Sequence, residues 1–81
     1  MHLSYQESQR VKDWALCLSD QNIIDRQLIH KIQGCSVELK PADIMTAMQW
    51  YEEIPDQLVD HSDQKIYNRL TRRRKQFHYG T

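Results

Sequence analysis

"SYQESQRVKDWALCL", from Ser4 to Leu18, predicts an amphipathic helix and sets the expected fold class. Ser4 followed by Glu7 forms a capping-box pattern, in which each side chain satisfies a free backbone N–H group at the start of a helix. Apolar residues then recur at the spacing i, i+3, i+4, i+7, which places them on one face. They are Val11, Trp14, Ala15 and Leu18. We predict a first helix over about Tyr5 to Leu18, with Trp14 in the core.

Three further helices are predicted by signals of the same kinds. They span about Ile23 to Gln33, Pro41 to Ile54 and Asp63 to Phe77. Asn22 and Ser62 are expected N-terminal caps, because their side chains can accept hydrogen bonds from free backbone N–H groups. Proline suits a first helical position, as at Pro41, and glycine suits a C-terminal cap, as at Gly34.

Length and composition favour an all-α fold, a compact bundle of about four helices. The chain has 81 residues with only two glycines and two prolines, which leaves little material for turns. A chain of this size buries only about 60% of the surface that it exposes when unfolded, so a large internal active-site cavity is not expected. We predict a single helical domain over residues 1–81, and leave residues 78–81 open between ordered chain and a disordered tail.

The connection between the second and third helices is predicted to be extended. From Cys35 to Lys40 apolar and polar residues alternate, which is the period of a β-strand. The residue before Pro41 also favours extended geometry. The sequence shows no obvious strand partner within this chain. Two interpretations follow, an extended connector whose apolar side chains fill the core, or a strand that pairs with the same segment of a second copy.

This connection argues against a standard helix-turn-helix. That motif joins its helices by a turn of about three or four residues, whereas the connector here runs from Gly34 to Lys40. The third helix carries Asp43, Glu52 and Glu53 and contains no lysine or arginine. A DNA duplex would repel such a helix.

A net charge of zero hides a separation of charge along the chain. Residues 1–63 contain five lysines and arginines against eleven acids, a net charge of −6. Residues 64–81 contain six lysines and arginines and no acid. Positive charge is therefore concentrated at the end of the fourth helix.

The stretch "NRLTRRRKQFHYG", from Asn68 to Gly80, holds the candidate nucleic-acid contacts. Its basic side chains are Arg69, Arg72, Arg73, Arg74 and Lys75. Cations neutralise phosphates, and nearby aromatic rings can stack on bases. Those rings are Tyr67, Phe77, His78 and Tyr79. Three interpretations remain open for this cluster: it is solvated or paired with the acidic stretch from Glu52 to Asp63, it binds nucleic acid, or it binds an acidic protein surface.

The third helix carries a second candidate surface, for a protein partner. Its members are Met45, Trp50, Glu52 and Glu53. If the residues at positions 44, 47, 48 and 51 define the core face, Met45 and Trp50 lie partly outside it. Large aromatics in such positions often anchor a partner. The alternative is that the core extends around the helix and covers Trp50.

Signals of chemistry are weak throughout the chain. Asp60, His61 and Ser62 are consecutive, so their side chains point in different directions and cannot form a relay. The spacing of His30 and Cys35 matches no common metal-ligand pair. No glycine-rich phosphate loop is present. We predict no catalytic residue, no metal site and no cofactor.

The compartment is expected to be the cytoplasm, and no membrane association is expected. The longest apolar run has five residues, far short of the roughly 20 that a membrane span needs, and the sequence begins without a hydrophobic signal core. Cys17 and Cys35 are then expected to be reduced thiols.

Taken together, these features predict a small non-enzymatic regulatory or adaptor protein. It would act by protein–protein interaction through the acidic face of the third helix and the basic fourth helix, with another protein or as a homodimer. The alternative is nucleic-acid binding through the basic C-terminal helix.

Overall fold

The computed structural model describes the backbone of residues 1–33 and 36–79, with side chains described up to residue 75. Within these residues lie four α-helices, which confirms the all-α prediction. They are α1 (Tyr5–Leu16), α2 (Ile23–Ile32), α3 (Pro41–Glu53) and α4 (His61–Tyr79). No boundary differs from its predicted position by more than two residues. A 3-10 turn at Asp56–Leu58 joins α3 to α4.

The extended connector does have a partner in this chain, and the expectation of none is wrong. Strand β1 (His2–Leu3) pairs antiparallel with strand β2 (Val37–Glu38), with His2 opposite Glu38 and Leu3 opposite Val37. Leu3 and Leu39 are buried, so the short ribbon contributes apolar side chains to the core. The predictions for Gly34 and Cys35 lie outside the described residues.

Capping boxes begin α1 and α2, and the predicted caps Ser4 and Asn22 are confirmed. Ser4 and Glu7 exchange hydrogen bonds at the start of α1, and Asn22 and Asp25 do so at the start of α2. Each box satisfies N–H groups that have no partner within their helix. These two helix starts are therefore fixed by local sequence.

The prediction that Ser62 caps the fourth helix is wrong, because Asp60 takes that position. Oδ1 of Asp60 accepts hydrogen bonds from the backbone N–H groups of Ser62 (2.7 Å) and Asp63 (3.2 Å). Oδ2 of Asp63 accepts in return from the backbone N–H of Asp60 (3.2 Å). Two aspartates three residues apart thus form the same reciprocal arrangement as a capping box.

Both tryptophans are in the core. Trp14 is 2% exposed, which confirms its prediction, and Trp50 is 1% exposed. The interpretation that Trp50 lies partly outside the core is therefore wrong. Its indole N–H donates to Oδ1 of Asp25 (2.8 Å), so α2 covers this side of α3. The core extends around α3, and Trp50 is unavailable as a surface anchor.

Each indole is bonded to an aspartate at the start of another helix. Trp14 on α1 donates to Oδ1 of Asp63 on α4 (3.1 Å), as Trp50 on α3 does to Asp25 on α2. Buried indole N–H groups need an acceptor, and both carboxylates already cap their own helices. One carboxylate therefore satisfies a helix start and a buried tryptophan at the same time.

We expect Asp63→Ala to lower the free energy of unfolding by about 2 to 4 kcal/mol, since it removes a cap and leaves the Trp14 indole without its acceptor. Urea denaturation followed by far-ultraviolet circular dichroism measures the change. Asp20→Ala is the control, because Asp20 is an exposed loop residue, and its effect should stay within about 0.5 kcal/mol. Equal effects of the two substitutions would contradict the role given to Asp63.

Candidate anion-binding surface

The first half of α4 is fixed against α3 by aromatic packing. The rings of Tyr51 and Tyr67 stack with centroids 4.2 Å apart, and Tyr51 meets Trp14 edge-on at 5.2 Å. The Tyr67 hydroxyl also donates to Oε1 of Glu52 (2.9 Å). Ile66, on the same half of α4, is buried in the core. The rigid first half sets the direction in which the basic second half continues.

The basic end of α4 lies beside the β-ribbon. A guanidinium N–H of Arg69 donates to the backbone carbonyl of His2 (3.2 Å). The pKa of Glu38 is below its ordinary value, chiefly because its carboxylate accepts a hydrogen bond from the Met1 α-amino group, with smaller contributions from His2 and Arg73. Tyr67 meets the end of α3, while Arg73 lies beside Met1, whose α-amino group is bonded to Glu38 and Leu39 just before α3. The two helices therefore run antiparallel.

The acids that lead into α4 are bonded to α1. Arg10 donates to Oδ2 of Asp60 (2.8 Å) and to Oδ1 of Asp63 (3.3 Å). Hydrogen bonds from backbone N–H groups, foremost that of Asp63, and from Arg10 hold the pKa of Asp60 below its ordinary value. Asp60 and Asp63 thus pair with a cation of α1, and Glu52 accepts its hydrogen bond from the hydroxyl of Tyr67.

Arg69 has a structural role. It forms an ion pair with Glu7 in the first turn of α1. Burial acts to raise the pKa of Glu7, but the backbone N–H of Ser4 and the Arg69 guanidinium outweigh it, so that the pKa is lowered. Arg69 therefore ties α4 to the start of α1 and, through His2, to the ribbon.

The other basic side chains predicted for nucleic acid remain at the surface. Arg72, Arg73, Arg74 and Lys75 are all exposed. Within the described part of the chain no ion pair is recorded for Arg72, Arg74 or Lys75, whereas Arg73 acts on Glu38 as described above. Most of the positive charge at this end is therefore presented to solvent.

Three of the five predicted cations share one concave surface. Arg69, Arg72 and Arg73 line a cleft of about 280 Å³ together with Met1 and His2. The spacing i, i+3, i+4 explains this grouping, because such residues are neighbours on a helix. Arg74 projects about 160° away from Arg72 around the helix axis and is not among the lining residues.

Sequence reasoning missed Met1 and His2 as members of this surface. They lie almost 70 positions before the arginines, and only the pairing of β1 with β2 places them there. A possible signal was the polar and apolar order of the first residues, which matches the alternation after Cys35.

The surface predicted on α3 is only partly formed. Met45 is 48% exposed, and Glu52 and Glu53 are exposed as well. Met45 and Glu52 lie seven residues apart on one side of α3, while Glu53 points about 100° away. With Trp50 buried, these three residues surround no aromatic anchor. The prediction that Phe77, His78 and Tyr79 stack on bases concerns side chains outside those that the structure describes.

Other kinds of site find little support in the described residues. No three histidine, cysteine, aspartate or glutamate side chains are grouped there in a way that could hold a metal ion. None of the described helices combines the length and apolar character required to cross a bilayer. Comparison with known protein families, with curated proteins and with solved structures finds no significant match.

The Arg69–Glu7 ion pair predicts a pH dependence of stability. Because the pKa of Glu7 is lower in the folded protein, its contribution is present at neutral pH and is lost as the pH falls through the folded-state value. Arg69→Gln should cost about 0.2 to 1 kcal/mol at neutral pH, since the pair is partly exposed. It should also reduce the loss of stability between about pH 6 and pH 3.

Urea midpoints measured at both ends of this pH range check the expectation. Arg74→Gln removes the same charge from the other side of α4 and should leave the pH dependence unchanged. The role of Arg69 is refuted when its variant loses as much stability on acidification as the wild-type protein does.

Proposed function

We propose that this protein is a non-enzymatic regulatory or adaptor protein that binds an acidic protein surface through the basic end of α4. One observation carries the proposal: Arg72, Arg74 and Lys75 are exposed, while the acids nearest in sequence are bonded to Arg10. The positive end is therefore available to an outside molecule. We also propose that the protein acts in the cytoplasm.

The distribution of charge favours a protein partner over nucleic acid. Proteins that bind nucleic acid without regard to sequence are usually basic as a whole, whereas this chain has no net charge. A phosphodiester strand also needs a basic path many ångströms long. Here Glu7 and Glu38 border the basic surface on the side of the ribbon and would repel a strand that passed over them. A compact acidic patch on a protein avoids this conflict.

Because Trp50 is buried, α3 loses its proposed anchor, and the contact is assigned to α4. Interface energy concentrates in aromatic and arginine side chains that become buried on binding. Trp50 is already buried within the protein, and α3 contains no arginine. The basic end of α4 presents three arginines that the structure shows to be exposed, which are Arg72, Arg73 and Arg74. Met45, Glu52 and Glu53 are therefore assigned at most a place at the rim of an interface.

Affinity capture from a nuclease-treated cell lysate tests this function with two charge-matched variants. Arg72→Glu/Arg74→Glu reverses two charges at the basic end, and Arg26→Glu/Lys65→Glu reverses two exposed charges elsewhere. We expect proteins held by the wild type to be lost from the first variant and kept by the second. Raising the salt concentration should also release them, because exposed charges are screened.

Two results would contradict the proposal. Partners that persist with Arg72→Glu/Arg74→Glu would place the contact on another surface. Captured material that disappears on nuclease treatment alone would instead support nucleic-acid binding through this helix.

A further inference from the structure

The groove between α1 and α4 runs along one side of the molecule and contains three clefts. The first is the cleft beside the ribbon. The second, around Ile66, is joined to the first by the Arg69–Glu7 ion pair. The third, of about 160 Å³, lies where α4 begins, and Arg10 lines both it and the second. The three clefts therefore form one continuous surface, which we call the α1–α4 face.

The ribbon end of the α1–α4 face offers one cation for a contact with another molecule. Arg72 is exposed, and no ion pair is recorded for it among the described side chains. Arg69 and Arg73 line the same cleft, but each already acts on a carboxylate of this chain. Arg72 is therefore the member of this cleft that can pair outside the chain.

The opposite end of the face offers a carboxylate beside an apolar side chain. Asp13, in the last turn of α1, is exposed and has no ion pair recorded within the described part of the chain. The two other acids of the third cleft, Asp60 and Asp63, are bonded to Arg10. Leu58 is 62% exposed in the same cleft. This end suits an arginine, whose guanidinium would meet Asp13 while its methylene groups cover Leu58.

The two ends are too far apart to neutralise each other within one molecule. Arg72 lies 12 residues beyond Asp60 along α4, a distance of about 18 Å. At physiological salt this is about two Debye lengths, so the attraction between the ends is largely screened. Contact between such ends requires two molecules.

We propose that two copies of this protein bind each other through the α1–α4 face, antiparallel and related by a two-fold axis, with Arg72 of each copy in the third cleft of the other. The inference rests on the proposed function and takes the acidic protein surface to be that of a second copy. A two-fold contact needs a surface with two complementary halves, and this face has a free cation at one end and a free carboxylate at the other. A uniformly acidic partner laid along the face would be repelled by Asp13.

The axis would pass near the middle of the face. Ile66 is halfway between Asp60 and Arg72 on α4, so residues at its level meet their own copies. Lys65 in the second cleft would then lie near Lys65 of the other copy. Reversing its charge exchanges one like-charged contact for another, so Arg26→Glu/Lys65→Glu should leave the dimer intact.

The size of the molecule limits the strength of such a dimer. With extents of 34 × 25 × 23 Å, one long side offers about 800 Å², which is what each partner buries in an interface of standard size. Only part of a curved side can be in contact at once. We therefore expect a weak dimer, which forms at high protein concentration and low salt.

Sedimentation equilibrium of the purified chain, from micromolar to millimolar concentration, tests the dimer. We expect the wild type to reach a dimer and no larger species, because a two-fold contact is closed. Added salt should dissociate it. Arg72→Glu alone and Asp13→Lys alone should each weaken it at least about 10-fold, since every substitution acts at two symmetric contacts and places like charges opposite each other.

A charge-swapped variant tests the pairing itself. Asp13→Lys/Arg72→Glu should regain most of the wild-type affinity, because the two positions face each other in the dimer. The matched control is Asp13→Lys/Arg26→Glu, which has the same net charge and should stay weak, since Arg26 lies on α2 and is not among the described lining residues of the three clefts. Circular dichroism establishes that each variant is folded. Should the swapped variant unfold, the wild type and the two single variants still decide the question.

The possible results separate this inference from the proposed function. A wild-type chain that stays monomeric at millimolar concentration and low salt overturns the dimer, and the proposed function is then judged by its own capture experiment. Growth beyond a dimer overturns the two-fold arrangement. A dimer that neither Arg72→Glu nor Asp13→Lys weakens uses another surface, which also overturns the inference. Equal affinities of the swapped variant and its control overturn the pairing of Arg72 with Asp13.

Discussion

Two indole–carboxylate hydrogen bonds hold the four helices in their positions. Trp14 connects α1 to the start of α4 through Asp63, and Trp50 connects α3 to the start of α2 through Asp25. Both aspartates lie in the first turn of their own helix, where each accepts a backbone hydrogen bond as well as the indole bond. Because Asp63 fixes where α4 begins against α1, it also fixes where the basic turns of α4 lie. The cleft at the ribbon depends on that position.

Local signals in the sequence predicted the helices well. The capping boxes at Ser4 and Asn22, and the proline at Pro41, act within one turn of the chain, so the fold cannot easily override them. The start of α4 was less clear, since Asp60 and Ser62 are both good caps by type. The reciprocal bonds with Asp63 favour Asp60, and a search for paired aspartates would have found it.

Contacts between distant parts of the chain could not be predicted in the same way. The side of α3 that carries Trp50 looks half exposed when α3 is considered alone, and it becomes core only because α2 packs there. The partner of β2 is only two residues long, so the alternation of polar and apolar residues at the start of the chain was too short to predict a strand by itself. The basic cluster itself was evident from composition. Only the structure shows how these cations differ. Arg69 is paired with Glu7, Arg72 and Arg73 line the cleft with it, and Arg74 lies on the other side of α4.

The bonds that close this fold also constrain the order in which it can form during synthesis. Trp14 finds its acceptor 49 positions later, and Arg69 finds Glu7 across 62 positions. Such widely separated contacts slow the folding of a helical protein relative to one with mainly local contacts. A chain emerging from the ribosome would leave the Trp14 indole without its native acceptor until α4 has been made. The first three helices therefore cannot complete their native contacts until α4 has been made.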